Sequence, residues 1–380
     1  MASNADTLDR ILGRFGPKGG PTLVVVSGLH GNEPAGVRAS QRVQEALTRA
    51  QTPLQGELVL VLGNVSAFQE GQRYVERDLN RAWTADQIRF LQENEGTGVE
   101  DREQQDLLQA LESILEGAQG QVYLLDLHTT SASGAAFSAV ADVLQNRDLA
   151  LALPVPLVLG LEEMVEGTLH DYMGERGVVT VAFESGQHDE PRAVDRAEAA
   201  VWITMAATGV ARAENLPHYL PALESLRRDS LHLPRAVEMR HRHAVRSDDA
   251  FRMKPGFRNF QRVTKGEVIA TDRRGPVLAP ESGRILMPLY QSQGEDGFFL
   301  IRPVRPFWLR LSAVLRRMHA SRWMHWLPGV QRDPERPGSF LVDRKRARWY
   351  ALEIFHLLGY RKQRLTEAQL VVSPRGRDGD

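Results

Sequence analysis

Three residues of this chain have the types and placement that a catalytic metal requires. His30 and Glu33 stand three apart in His30-Gly31-Asn32-Glu33, and His128 closes the segment Asp126-Leu127-His128. Two neutral imidazoles and one carboxylate leave the fourth position of a tetrahedral zinc open for water, which is the catalytic rather than the structural arrangement. Zinc held this way lowers the pKa of a water from ~15.7 to ~7, so hydroxide forms at neutral pH without a strong base. A His-x-x-Glu pair alone arises by chance on many helices. Here three separate apolar runs lead into His30, His128 and Glu184, and that repetition singles the residues out.

Glu184 follows the apolar run 178–183 and precedes Ser185-Gly186. As a general base it would take a proton from water and hand it to a leaving amine, a role typically worth ~10²–10⁴ in rate. The plainer role is a carboxylate capping the next helix. Asp126 lies two residues before His128, so on a regular strand both side chains share a face. It would orient the imidazole or contact backbone amides. Arg73, Arg77 and Arg81 fall in one loop, with Asn80 beside the last. A planar guanidinium suits a small acidic molecule, and it equally suits a solvated surface.

Composition narrows the chemistry. The 380 residues contain no cysteine, which excludes disulfides, thiolate metal sites and a cysteine nucleophile. With 42% hydrophobic and 25% charged residues and a net charge of −1, the chain gives no electrostatic case for nucleic acid. The first twenty residues lack the apolar core of a signal peptide. No stretch approaches the roughly 20 apolar residues of a membrane span. Cytoplasmic placement is the expectation, and the length allows more than one domain.

The elements that must position these residues read as an alternation. The near-continuous apolar run 22–29 predicts a strand buried on both faces, and Pro34 opens a helix over 35–49. A second buried strand at 57–63 completes a βαβ unit. A loop-rich stretch (64–83) follows, then a helix at 107–115 and a strand at 122–128. Beyond these come a helix at 139–151, strands at 155–159 and 178–183, and a helix at 191–210. A short helix is predicted at 5–15. This pattern predicts an α/β catalytic domain over 1–215, with a sheet flanked by helices. Ligands bind such sheets at the C-terminal strand ends, where the candidates fall. From 230 to 305, short runs broken by Gly, Pro and Asp predict a small all-β domain capping the site. From 306 to 380 the chain becomes basic, and candidate helices at 307–326 and 344–358 predict a helical extension.

Taken together, these motifs resemble the succinylglutamate desuccinylase/aspartoacylase family, a branch of the zinc carboxypeptidase-like hydrolases, over roughly residues 22–305. Gly28-Leu29-His30-Gly31-Asn32-Glu33 looks like the family's first zinc motif and Asp126-Leu127-His128 like the second. Glu184-Ser185-Gly186 resembles the segment that holds the catalytic glutamate. Arg77-Asp78-Leu79-Asn80-Arg81 is similar to the family's substrate loop, which implies that Asn80 and Arg81 grip a substrate carboxylate. Arg73 matches an arginine that polarises the scissile carbonyl and stabilises its oxyanion. The resemblance also implies a mixed sheet of the zinc carboxypeptidase type followed by a small β domain that narrows the site. His128 is followed by Thr129-Thr130-Ser131, closer to the desuccinylase pattern than to aspartoacylase, which has Asn after this His. The region from about 306 has no counterpart in the resemblance.

Residues 305–326 carry Arg305, Arg310, Arg316, Arg317 and Arg322 with no acidic residue, plus Trp308, Trp323 and Trp326. Such a stretch suits a peripheral contact surface, membrane or protein, or a helix that packs Leu311, Leu315 and Met318 inward and turns its arginines to water. The sequence therefore leads to a zinc-dependent amide hydrolase with one Zn²⁺ per chain. It would remove an acyl group from a small N-acylated amino acid or related carboxylate-bearing amide, with no nucleic-acid partner and with room for a homo-oligomer. The rival expectations are a zinc carboxypeptidase acting on short peptides and a non-catalytic binding protein that works through its basic tail.

Overall fold

In the computed structural model, which describes residues 9–94, 96–334, 336, 339–343, 358–364 and 369–374, the apolar runs become neighbours in one large sheet. Its first half contains β1 (Ile11–Phe15), β2 (Thr22–Ser27), β3 (Glu57–Leu62), β4 (Val122–Thr130), β5 (Phe137–Val140), β6 (Leu157–Leu159) and β7 (Val179–Gln187). Strands β3, β2, β4 and β7 run parallel, while β1 and β5 pair antiparallel to β3 and β7. Side chains alternate across a strand, so β2 feeds two cores. Leu23 and Val25 pack in the layer of helices α1 (Ala35–Ala50) and α2 (Pro191–Ala207). Val24 and Val26 pack in the opposite layer with Leu107, Leu111 and Ile114 of the long helix at 99–117 and with Ile88, Tyr172 and Met173. Burial on both faces explains why β2 and β3 read as unbroken apolar runs rather than alternating ones.

The sheet does not stop near residue 215. Strand β6 pairs in parallel with β8 (Ala236–Ala244), and β8 pairs with β14 (Asp296–Pro303). The sheet then continues through β13 (Gly283–Leu286) to β10 (Arg262–Val263), reaching eleven strands. Three short strands, β9 (Arg252–Met253), β11 (Val268–Asp272) and β12 (Gly275–Leu278), form a separate antiparallel sheet. The fold is a large mixed sheet flanked by helices, with small antiparallel sheets attached.

Several local expectations change. Residues 11–15 form a strand, not a helix, because they complete the outer edge of β3, with Phe15 opposite Leu58. The helix expected at 139–151 begins only at Leu144 and ends at Ala152; residues 137–140 are drawn into the sheet between β7 and β6. The stretch 64–83, read as loop, contains a helix at Val65–Glu70 and a 3-10 turn at Leu79–Arg81. In the tail, helix α3 (Pro306–Arg317) is followed by a 3-10 segment at Ala320–Trp326, the two separated by His319 in the left-handed region at φ 52°.

The rest of the tail departs from the helical expectation. Strands β15 (Val330–Arg332), β16 (Phe340–Asp343), β17 (Tyr360–Arg364) and β18 (Gln369–Pro374) form a four-stranded antiparallel sheet. Phe340, Val342, Tyr360 and Val372 alternate inward onto Met324 and Leu358, a period-two pattern too short to stand out from the sequence. The second candidate helix, 344–358, lies outside the described residues except for Leu358. Not all tail arginines face water: the Arg316 side chain is 1% exposed and bonds Asp142 at 3.1 Å and its carbonyl at 2.8 Å. Among the described residues no helix is long and apolar enough to cross a membrane.

Candidate active site

The turn leaving β2 is built by glycines. Gly28 sits at φ 66°, a conformation that a side chain disfavours. At Gly31 a Cβ would fall 2.0 Å from the Ala67 carbonyl oxygen, so only glycine lets this turn lie against the helix at 65–70. The Gly31 N–H donates to the Arg73 carbonyl at 3.3 Å, and Glu33 N–H to the His30 carbonyl at 3.1 Å. These contacts bring His30 and Glu33 to the C-terminal edge of the sheet. Across β4 and β7, His128 and Glu184 are register partners. In a parallel pair this puts both side chains on one face, so Glu184 stands beside the imidazole.

His30, Glu33 and His128 converge. Their ligand atoms lie within 4.8 Å of one another and all three residues are buried. Glu33 holds the centre: Oε1 is 2.8 Å from His30 Nδ1, and Oε2 is 3.3 Å from His128 Nδ1. The Thr129 N–H donates to Oε2 at 2.7 Å, fixing the carboxylate. Each imidazole turns its far nitrogen to another carboxylate. His30 Nε2 is 3.2 Å from Asp78 Oδ1, and His128 Nε2 is 2.9 Å from Asp126 Oδ2. The second pair is in ion-pair contact without the alignment of a hydrogen bond, which leaves the Asp126 carboxylate and that nitrogen without a hydrogen-bond partner among the described residues. A carboxylate behind Nε2 keeps the proton there and the Nδ1 lone pair facing inward, as metal-bound histidines require. The donor set and its supporting carboxylates fit a metal ion.

Electrostatics set the groups apart. Burial raises the Glu33 carboxyl, but His30 and His128 outweigh it and hold its pKa well below the ordinary value. Burial lowers His128, yet Asp126 and Glu33 together keep it well above 6.5. Glu184 goes the other way. Burial, with repulsion from Glu33 and Asp126, raises it to about 8 despite His128 and Arg73. Its Oε2 is buried without a hydrogen-bond partner among the described residues. One carboxyl that stays ionised beside another that holds a proton is the separation of roles that acid–base chemistry uses.

The loop before the 3-10 turn delivers the arginines. Glu100, fully buried, accepts from the N–H groups of Val75, Glu76 and Arg77 at 2.7, 2.9 and 3.3 Å and so shapes the loop. Arg73 reaches the cleft, where its guanidinium donates to Asp78 Oδ2 from Nε at 3.1 Å and NH2 at 2.9 Å. It also stands 3.6 Å from Glu33. Asn80 and Arg81 line the same cleft, but both are engaged. Asn80 Oδ1 accepts from the Leu169 N–H at 3.0 Å, and Arg81 donates to Asp296 at 2.8 Å. Arg77 turns away, donating to Gln104 at 3.2 Å and to Asp101.

Sequence reasoning passed over several residues of this cleft. Asp78 joins His30, Arg73 and the Asn80 N–H (2.9 Å) in one carboxylate; its place inside the Arg77–Arg81 motif was the available signal. His188 links Thr129 Oγ1 at 2.6 Å to Gln291 at 2.9 Å, and Gln291 accepts from Asn32 at 3.0 Å. Gln291 and Asp296 lie more than a hundred residues beyond the motifs, and nothing in their local sequence marks them.

Comparison with known proteins places the chain among relatives. A family model described as "Succinylglutamate desuccinylase/Aspartoacylase catalytic domain" matches residues 19–206. The succinylglutamate desuccinylase of Erwinia tasmaniensis is 44% identical over 59 residues, 16% of this chain and 18% of that protein. A probable aspartoacylase of a Nostoc species is 32% identical over 111 residues, 29% of this chain and 36% of that protein. These matches therefore span well under half the length of either relative. Among solved structures, the Chromobacterium violaceum succinylglutamate desuccinylase aligns with a TM-score of 0.53 at 18% identity, covering 76% of this chain and 86% of that one. The product-bound ectoine utilization protein EutE (DoeB) of Ruegeria pomeroyi aligns with a TM-score of 0.53 at 19% identity, covering 76% and 87%. At such identity these two establish a shared fold. Through its catalytic region at residues 19–206, the chain belongs to the succinylglutamate desuccinylase/aspartoacylase family.

Proposed function

We propose that the protein is a zinc-dependent amide hydrolase that removes an acyl group from a small N-acylated amino acid or a related carboxylate-bearing amide. The observation that carries this reading is the buried convergence of His30, Glu33 and His128 with Glu184 beside His128. His30, Glu33 and His128 would hold the metal, with Asp126 orienting His128. Zinc in such a set supplies Lewis acidity toward a carbonyl and toward water. Glu184, protonated in the metal-free protein, would be returned to its ionised form by a cation bound beside it, and would then take the proton from the attacking water and deliver it to the leaving amine. Arg73, held by Asp78, presents its guanidinium to the oxygen that gains charge as the carbonyl is attacked. Asn80 and Arg81 bind the substrate carboxylate. Leu289, Gln291 and Glu295 also line the cleft, a cover that favours short substrates over longer peptides.

Elemental analysis of the purified protein and of His128→Ala tests the metal, and a panel of N-acyl amino acids with one tripeptide tests the reaction. About one zinc per chain, lost in the mutant, and turnover of an N-acyl amino acid are expected. Glu184→Gln should keep its zinc and lose at least ~10² in turnover. A wild type that takes up no zinc would end the hydrolase reading in favour of a binding protein.

A further inference from the structure

The arginine that should receive a substrate carboxylate already has one. Arg81 Nη2 donates to Asp296 Oδ2 at 2.8 Å, Nη1 donates to the Asn80 carbonyl at 2.9 Å, and Nε is buried without a partner among the described residues. Asp296 opens β14, and its other oxygen, Oδ1, accepts from Arg242 Nε on β8. Arg242 is itself steadied by the Met164 carbonyl at 2.8 Å. A single carboxylate is thus shared between two guanidinium groups, both only partly exposed. Arg81 and Asp296 line the same cleft as His128 and Glu184.

Resting on the hydrolase reading for the identity of the cleft, we propose that Asp296 is a resident competitor for Arg81, a specificity-determining residue that a substrate carboxylate must displace. The chemistry of the exchange is symmetrical, because one carboxylate leaves the guanidinium groups as another arrives. Gripping the carboxylate alone therefore gains little, and a substrate must add contacts elsewhere in the cleft to be held. A small acid with nothing but its charge to offer is turned away, a form of selectivity obtained by placing an internal rival in the site. The position of Asp296 allows the exchange. It is the first residue of β14, and the register with β8 shifts between Asp296 and Phe298, so the side chain can swing without unpairing the strand. Arg242, which the family's catalytic region does not include, then becomes a second cation available to the incoming carboxylate.

The test is binding of succinate, and of succinamide as its uncharged counterpart, to the full-length zinc-loaded protein by calorimetry. Asp296→Asn should bind succinate at least tenfold more tightly than the wild type, with succinamide unchanged. Unchanged or weaker succinate binding in a folded Asp296→Asn, including no binding to either protein, overturns the proposal, since Asp296 would then merely orient Arg81. If the variant does not fold, a crystal structure of the wild type with succinate decides. A ligand carboxylate on Arg81 with Asp296 turned away supports the exchange, and Asp296 still paired with Arg81 overturns it. Turnover of N-acyl amino acids, measured in parallel, reports separately on the hydrolase reading. Tightened binding without any turnover would leave the exchange standing and remove the reaction.

Discussion

Glu184 and Glu33 are chemically identical side chains beside the same imidazole, His128, and the fold drives them to opposite protonation. Glu33 has two histidines and a backbone N–H pointed at it; Glu184 has a buried oxygen with nothing to accept from among the described residues. In the metal-free protein this has a consequence for stability. The Glu184 carboxyl rises from 4.5 unfolded to about 8 folded. Between those values the folded chain keeps a proton that the unfolded chain has lost, so this group makes stability fall as pH rises, by at most about 1.4 kcal/mol per pH unit. Denaturant titrations of the metal-free protein from pH 5 to 8 should show this slope, and Glu184→Gln should flatten it. Equal slopes in the two proteins would mean that Glu184 is not desolvated. Much of the candidate site at this scale was legible, because His30, His128 and Glu184 each follow an apolar strand run and Glu33 stands three residues past His30. Asp296 did not, since a carboxylate 215 residues from Arg81 is tied to it only by the packing of β14 against β8.

At the scale of elements, the site depends on the connection from β2 to α1 more than on any helix. Apolar runs made β2, β3, β4 and β7 readable, because strands buried on both faces carry their own signal. The strands at 11–15 and 137–140 were not readable, since what makes them strands is a neighbour's free edge. The five-residue turn between β2 and Glu33 is different again: its glycines are plain in the sequence, but only the fold reveals the carbonyl of Ala67 beneath Gly31. Adding a methyl there forces the turn off the helix at 65–70 and carries His30 and Glu33 with it. Gly31→Ala should therefore lose metal affinity as well as stability, the latter by about 1–3 kcal/mol as for other overpacked positions. Thermal melts with and without added zinc measure both. A variant that melts lower but is stabilised by zinc as strongly as the wild type would show that the turn tolerates the shift.

Across the whole molecule, the change of texture near residue 215 looked like a boundary, yet the principal sheet runs straight through it. Composition reports which strands are short and exposed; it does not report that β8 lies against β6, because that pairing joins segments some eighty residues apart. Without β8 the inner strand β6 would become an edge, baring Leu157, Val158 and Leu159 along an unpaired backbone, the arrangement most prone to aggregation. The cleft would also lose Gln291 and Asp296, and with them two of its links across the chain. The tail is attached differently. Its own cluster around Phe340 and Tyr360 is separate from the sheet's cores, and α3 meets the rest through Leu309 against one of those cores, Arg316 on Asp142, Ser312 with Arg147 at 3.1 Å and Arg317 on Asp148 at 3.4 Å. Removing it still leaves Asp142 paired with Arg147. Two truncations should therefore part company. A chain ending at 305 is expected to be soluble, to melt cooperatively a few degrees below the full chain, and to bind zinc. A chain ending at 215 is expected to aggregate or to melt without a cooperative transition. Calorimetry of both would decide, and a cooperative, zinc-binding 1–215 fragment would mean that the sheet's second half is an accessory to a self-sufficient site.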